Sequence, residues 1–418
     1  MMLRIVALFA KYRFAVLVIV PLSLMSGVRL WTGQDPLTSS DTVGSALRLA
    51  VPILLAGMAG LWAERCGVLN IGIEGMMILG TWFGGWGAWQ FGAWAGLAFA
   101  VVGGMLGGLI HAVATVRFNI DQVISGVVLN LFAFFGVRYL SDLVFVGQQG
   151  GGVSQSPPQR SVISRVDVPF LSGGQVGGWK SPNILGWLEQ RRWFLLGDIG
   201  GIGRGLTSNL SWASVIAVTL VPISAWILWR TRLGLRLRSS GESPHTAESL
   251  GVNVIRLRYF GLVVSGGFAG LAGGTLAIVA SSYYRQGQTA GRGFIGLATM
   301  IFGNWRPSGV LAGAMLFGYA EGVKLVAAKS IPALFLFISI AALLLVIVAG
   351  VRKKRVRMLS LLTIFVLSGM AYLTVKTVPE SLTQSVPYVV TLIILATTNQ
   401  KLRAPAMAGV PYRRGDPH

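Results

Sequence analysis

The side chains best placed to do chemistry are few, and most sit among apolar neighbours. In the run Glu64-Arg65-Cys66-Gly67-Val68-Leu69-Asn70-Ile71-Gly72-Ile73-Glu74-Gly75, a carboxamide and a carboxylate stand four residues apart where a plain apolar helix would carry Leu or Val. A carboxylate in hydrocarbon is costly, so it turns to a cavity or a partner. Two readings follow: Glu74 and Asn70 line a solute path at a broken helix start, or Glu74 pairs structurally with another span. Asn130, Thr299 and Asn304 are further polar groups in apolar surroundings and join the candidate path. No catalytic residue is expected, because no nucleophile–base pair occurs. No metal ligand set is expected either: His111, His245 and His418 lie far apart in the chain, and Cys66 is the only cysteine. The sequence has no GxxxxGK[ST] phosphate loop and no Gly-Lys pair. If ATP drives this protein, another chain binds it.

A second group of residues lies in a basic connector, 230–258. Ser243 followed by Pro244 reads as a helix cap with Pro in the first turn. Ala247, Glu248 and Leu250 continue the helix, and Gly251 stops it. Such tight start and stop signals predict about two turns of helix between two apolar stretches, a surface for docking a partner. Gly241, Glu242 and His245 complete that surface. A third group, Gly291-Arg292-Gly293-Phe294-Ile295-Gly296-Leu297-Ala298-Thr299-Met300-Ile301-Phe302-Gly303-Asn304-Trp305-Arg306-Pro307, reads as a short glycine-punctuated helix. Eleven residues reach only about half-way across a bilayer. Backbone freed by Gly and Pro is tolerated in a membrane only beside a cavity or packed protein.

The elements that position these groups are apolar helices. The chain has 418 residues, 53% hydrophobic and 12% charged, with a mean hydropathy of +0.68. A soluble domain carries roughly 25% charged residues. Apolar stretches near membrane-spanning length fall at 14–30, 43–62, 68–89, 94–116, 123–140, 211–229, 258–280, 310–328, 331–350, 358–375 and 387–398. With the short piece at 293–303, the expected fold is an all-α polytopic membrane protein of about 11–12 segments, one permeation domain over 1–418. The basic start and the run at 14–28 lack a small-x-small cleavage site and are read as an uncleaved first span.

The net charge of +21 does not point to nucleic acid, because the basic residues flank the apolar stretches, as orientation in a membrane requires. The distribution of Lys and Arg puts both termini and the run 352–357 in the cytoplasm of a bacterial inner membrane, and the Gly-, Ser- and Pro-rich loop 141–210 outside. That loop either docks a binding protein or is a long connector. Glycine pairs four apart, such as Gly80/Gly84, Gly103/Gly107 and Gly266/Gly270, predict close helix packing in lipid.

The three stretches above, with GVNVIRLRYFGLVVSGGFAGLAGG at 251–274 and PYVVTLIILATTNQKLRAPAMAGVPYR at 387–413, resemble the nucleoside-importer permeases of the ATP-binding-cassette type. These belong to a larger group that includes branched-chain amino-acid and simple-sugar permeases. The resemblance covers the core at 44–328 and 386–412. It implies an ATPase subunit, often with tandem domains and carrying ATP and Mg, a second and usually unlike permease, and an extracytoplasmic solute-binding lipoprotein. It makes 241–251 the loop that seats in the ATPase cleft, with purine nucleosides first among the cargoes, then sugars and branched-chain amino acids. The block 331–375 looks inserted relative to that family, and loop 141–210 is longer than usual. An ion-coupled secondary transporter would use mid-membrane carboxylates such as Glu74 and Glu321 but has no use for the docking loop.

Overall fold

The computed structural model describes residues 13–33, 37–325, 327–351, 355–375 and 402–413. The expected apolar stretches emerge as helices: α1 (Arg13–Thr32), α2 (Ser40–Arg65), α3 (Ile73–Phe91), α4 (Ala93–Ala112) and α5 (Gln122–Val144). Later come α6 (Ile184–Arg191), α7 (Leu196–Thr207), α8 (Trp212–Arg230), α9 (Arg232–Glu242), α10 (Pro244–Ser249), α11 (Val254–Gly274) and α12 (Arg292–Phe302). The last are α13 (Pro307–Leu325), α14 (Ala327–Val351) and α15 (Arg355–Thr374). Among the described residues, five helical stretches are long and apolar enough to cross a membrane: Ser40–Arg65, Ala93–Arg117, Gln122–Val144, Trp212–Arg230 and Val254–Ala280. The span expected at 387–398 lies outside the described residues.

Several boundaries differ from the sequence reading for physical reasons. The stretch expected as a span from 68 onward becomes helical only at Ile73, because Gly67 takes a φ of 92° and 66–72 runs as an unwound joint. α4 and α11 each end in a π-helical turn, Val113–Arg117 and Thr275–Ala280. Loop 141–210 is not one connector; it folds α6, α7 and a two-residue hairpin pairing Gln175–Val176 with Trp179–Lys180. α5 starts where it does because the Asp121 carboxylate accepts the backbone N–H groups of Val123 (2.9 Å) and Ile124 (3.0 Å), two of the donors a helix start leaves unpaired.

The residues form two compact units. One comprises Arg48–Arg165, Ser211–Gly318 and Thr398–His418. Its core is built from Leu54, Met58, Leu61, Trp62, Leu262, Met300 and Phe317. Two adjacent glycine stripes on α4 set the packing there. Gly103 and Gly107 admit Phe83, Leu79 and Met76 of α3, while Gly104 and Gly108 lie against Gly266, Gly270 and Leu262 of α11. A Cβ on Gly104 would overlap the Gly266 carbonyl oxygen. Backbones can approach this closely only where side chains are absent, and lipid-phase helices depend on such contacts.

The other unit comprises Met1–Leu47, Val166–Leu210 and Tyr319–Thr397. Within it the buried Arg29–Asp198 ion pair (3.1 Å) joins the end of α1 to the start of α7. Ser26 Oγ (2.6 Å) and Thr38 Oγ1 (2.5 Å) donate to the same carboxylate, and Arg29 also donates to the carbonyls of Arg192 and Trp193. α14 packs along α15 and, through Ala333, against Val28 and Leu37.

Candidate functional site

The unwound joint between α2 and α3 leaves backbone groups that a low-dielectric interior must satisfy. Side chains from neighbouring helices do so. Gln122 Oε1 accepts the Leu69 N–H at 2.6 Å, and His111 Nε2 lies 3.3 Å from the Leu69 carbonyl. Asn130 serves both sides of the break: its Oδ1 accepts the Gly75 N–H (2.7 Å) and its Nδ2 donates to the Ile71 carbonyl (3.1 Å). A short carboxamide offers donor and acceptor on one planar group, which suits Asn to that position. Asn70 Nδ2 donates to Ser265 Oγ at 3.0 Å, while its buried Oδ1 has no hydrogen-bond partner among the described residues.

Glu74 is held at the opposite end of the same arrangement. Its carboxylate accepts the N–H of Gly291 (3.0 Å, Oε1) and of Gly293 (2.7 Å, Oε2), the first donors of α12. The helix N-terminus carries unpaired N–H groups and partial positive charge, and a buried carboxylate answers both. Gly293 allows the approach: a Cβ there would stand 2.8 Å from the Glu74 backbone nitrogen. The carboxylate is thus paired, and its partner is a helix end rather than a basic side chain.

The far end of α12 is tied to the end of α2. Asn304 and Trp305 take φ values of 52° and 53°, which turn the chain sharply after Gly303. Trp305 Nε1 donates to Glu64 Oε2 at 2.6 Å, and Arg65 Nη2 donates to the Trp305 carbonyl at 2.7 Å. Thr299 lies buried between, its hydroxyl donating to the Gly296 carbonyl (2.7 Å). The five candidate path residues therefore divide. Asn70, Glu74 and Asn130 gather at the joint, Thr299 sits inside the short helix, and Asn304 lies at its opposite end, about 16 Å of helix away.

The candidate docking loop is a helix–kink–helix rather than a single short helix. α9, missed in the sequence, begins where Thr231 Oγ1 accepts the Gly234 N–H (3.1 Å), and Leu237 is fully buried beneath it. The N-cap Thr ahead of an apolar spacing at Leu233 and Leu237 was the available signal. Gly241 ends α9 against the α2 terminus, and Ser240 Oγ donates to the Cys66 carbonyl at 3.1 Å. Glu242 pairs with Arg65 at 3.7 Å. α10 starts with Pro244 as expected, but the Ser243 hydroxyl bonds Thr246 Oγ1 (2.7 Å) instead of capping the backbone. Ala247 is buried, Leu250 is 79% exposed, and Gly251 adopts φ 79°. Tyr412 OH donates to Glu248 Oε2 at 2.5 Å, and the His245 ring lies 5.2 Å from the Tyr412 ring. Tyr412 was not singled out in the sequence, because nothing local links a tail tyrosine to a loop more than 160 residues earlier.

Apolar helices packed through glycine, a broken helix whose restart caps a short helix, and a half-exposed two-helix loop are the architecture of a helical membrane protein. The chain belongs to the family of branched-chain amino acid transport system permease components, whose model matches residues 42–349. It is 30% identical over 383 residues to the guanosine ABC transporter permease protein NupQ of Bacillus subtilis, covering 90% of this chain and 97% of the relative. It is 31% identical over 378 residues to the nucleoside ABC transporter permease protein NupC of Lactococcus lactis, covering 88% and 96%. A glucose ABC transporter permease protein of Haloferax volcanii is 25% identical over 334 residues, covering 77% and 80%. No solved structure matches.

Proposed function

We propose that the chain forms the solute pathway of an ATP-driven importer for purine nucleosides. The observation that carries the cargo is the near full-length similarity to the guanosine and nucleoside permeases. Asn70 supports it: its buried Oδ1, without a hydrogen-bond partner among the described residues, is an acceptor suited to a hydroxyl or amino donor of a nucleoside. In this reading ATP and Mg are bound by a separate ATPase subunit, because the chain has no phosphate loop. A second, unlike permease completes the pore, and a solute-binding lipoprotein delivers the cargo from outside. The chain lies in the bacterial inner membrane with both termini cytoplasmic.

Coupling runs through the loop holding Gly241, Glu242, Ser243, Pro244, His245, Ala247, Glu248, Leu250 and Gly251. Leu250, exposed beside α10, is the apolar contact offered to the ATPase. Movement of this loop shifts the end of α2 through the Ser240–Cys66 and Arg65–Glu242 contacts. Glu64 and Arg65 then pass the shift to Trp305 and α12, whose other end is held by Glu74. The test is uptake competition in cells carrying the whole system. Excess guanosine, adenosine or inosine should suppress uptake. Indifference to all three, with inhibition by a pentose or leucine, overturns the cargo. Gly251→Val should leave the permease abundant but abolish solute-stimulated ATP hydrolysis, since a β-branched residue at positive φ is strained. A wild-type transport rate in that variant would refute the docking assignment.

A further inference from the structure

We infer that the carboxyl-terminal segment 402–413 is a clamp that holds α10 in its docking-competent orientation. The inference rests on the reading of α10 as the ATPase-docking helix. A six-residue helix has no stability of its own, since isolated helices below about 12–15 residues are marginal in water. Something outside α10 must therefore order it. Its inner face is covered by one small apolar cluster, Ala247 with Val254 and Tyr412, against which Val252 packs. The only large side chain in that cluster comes from the tail.

Each part of the tail is itself fixed to a different element. Arg403 N–H donates to Asn304 Oδ1 (2.7 Å) at the turn after α12. Ala406 N–H donates to Glu242 Oε2 (3.3 Å), and Met407 N–H donates to the Gly241 carbonyl (2.9 Å) at the end of α9. Arg258, buried in the first turns of α11, donates from Nη1 to the Val410 carbonyl (3.2 Å) and sits 5.3 Å over the Tyr412 ring. Its Nε and Nη2 have no hydrogen-bond partner among the described residues, so the tail supplies most of what compensates this buried cation. Tyr412 then reaches α10 through the Glu248 carboxylate and the His245 ring. The end of α9 is joined to α2 by the Ser240 Oγ–Cys66 carbonyl bond (3.1 Å), which stops short of α10, and by the Arg65–Glu242 pair, which is long at 3.7 Å with its carboxylate side chain 52% exposed. Such pairs hold little. The tail is the better-packed restraint.

The clamp has a measurable consequence. Docking affinity falls in proportion to the fraction of molecules whose docking helix is ordered. The experiment compares the full-length chain with Tyr412→Ala, Tyr412→Phe and a chain ending at Val410. Amide hydrogen exchange is read over 244–251 in detergent, and affinity is read for the purified ATPase subunit. In Tyr412→Ala and the shortened chain, exchange over 244–251 should rise at least about tenfold, toward the rate of an unprotected chain, and affinity should fall in proportion to the ordered fraction that remains. Exchange within α2–α5 should stay as in the parent. Tyr412→Phe keeps the ring packing and loses only the hydroxyl bond, so its effect should be clearly smaller. Unchanged exchange over 244–251 in both Tyr412→Ala and the shortened chain overturns the clamp. Full loss of protection over 244–251 with unchanged ATPase affinity supports the clamp and instead refutes docking through α10. A collapse of exchange protection throughout the chain would make the tail a general folding element and also overturn the proposal.

Discussion

Removing the Glu74 carboxylate tests how the short helix α12 is held. The two N–H groups it accepts, from Gly291 and Gly293, lie at 3.0 and 2.7 Å in a buried site. A hydrogen bond to a charged group contributes ~1.5–3 kcal/mol, so Glu74→Ala should cost about 3–6 kcal/mol locally. Glu74→Gln keeps one acceptor oxygen but turns an amide N–H toward a backbone donor, so about half of that loss, ~1.5–3 kcal/mol, is expected. A loss of ~2 kcal/mol raises the population of an opened α12 start roughly 30-fold. The assay is amide exchange over 291–297, with thermal unfolding of the purified permease in detergent. Both variants should exchange faster there, Ala more than Gln, and both should melt earlier whether or not a nucleoside is present. Wild-type exchange and melting combined with lost uptake would refute the reasoning. That result would make Glu74 a solute contact rather than a helix cap.

Gly104→Val should prevent α4 and α11 from approaching and sharply lower the amount of folded permease, because overpacking costs typically 1–3 kcal/mol or more; normal abundance on size-exclusion chromatography would contradict the packing. Asp198→Asn leaves the Arg29 guanidinium buried without its carboxylate, a loss of ~3–5 kcal/mol that should expose 184–207 to proteolysis; the pair Arg29→Met with Asp198→Leu should recover much of it, and equal damage in single and double variants would show the pair does not act as a unit. Cys66 is fully buried, so it should resist maleimide, and cysteines placed at Ser154 and Arg355 report alone; labelling of Arg355→Cys in intact cells would overturn the proposed orientation.

Helical periodicity, charge placement and Gly and Pro punctuation are local properties, and they were legible. They located the apolar helices, the short helix ending at Asn304-Trp305, and the positive φ at Gly251. A broken start before α3 was one of two readings of its glycines and carboxylate, but the span itself was placed from 68 and the helix begins at Ile73. What those polar groups touch was not legible. Glu74 meets a helix start more than 200 residues later, and Asn130 bridges a break on another helix. Periodicity describes which side a residue faces, and says nothing of which helix lies there. The same limit separated the two glycine stripes on α4: the pattern announced close packing, but only the fold assigned one stripe to α3 and the other to α11. It also hid Tyr412, whose aromatic ring is unremarkable until the tail brings it against α10. The kinds of element and the chemistry available were set by the order of residues along the chain. The pairing of distant polar groups was decided by the tertiary fold, because a buried carboxylate or carboxamide is stable only against the particular backbone groups that packing presents to it.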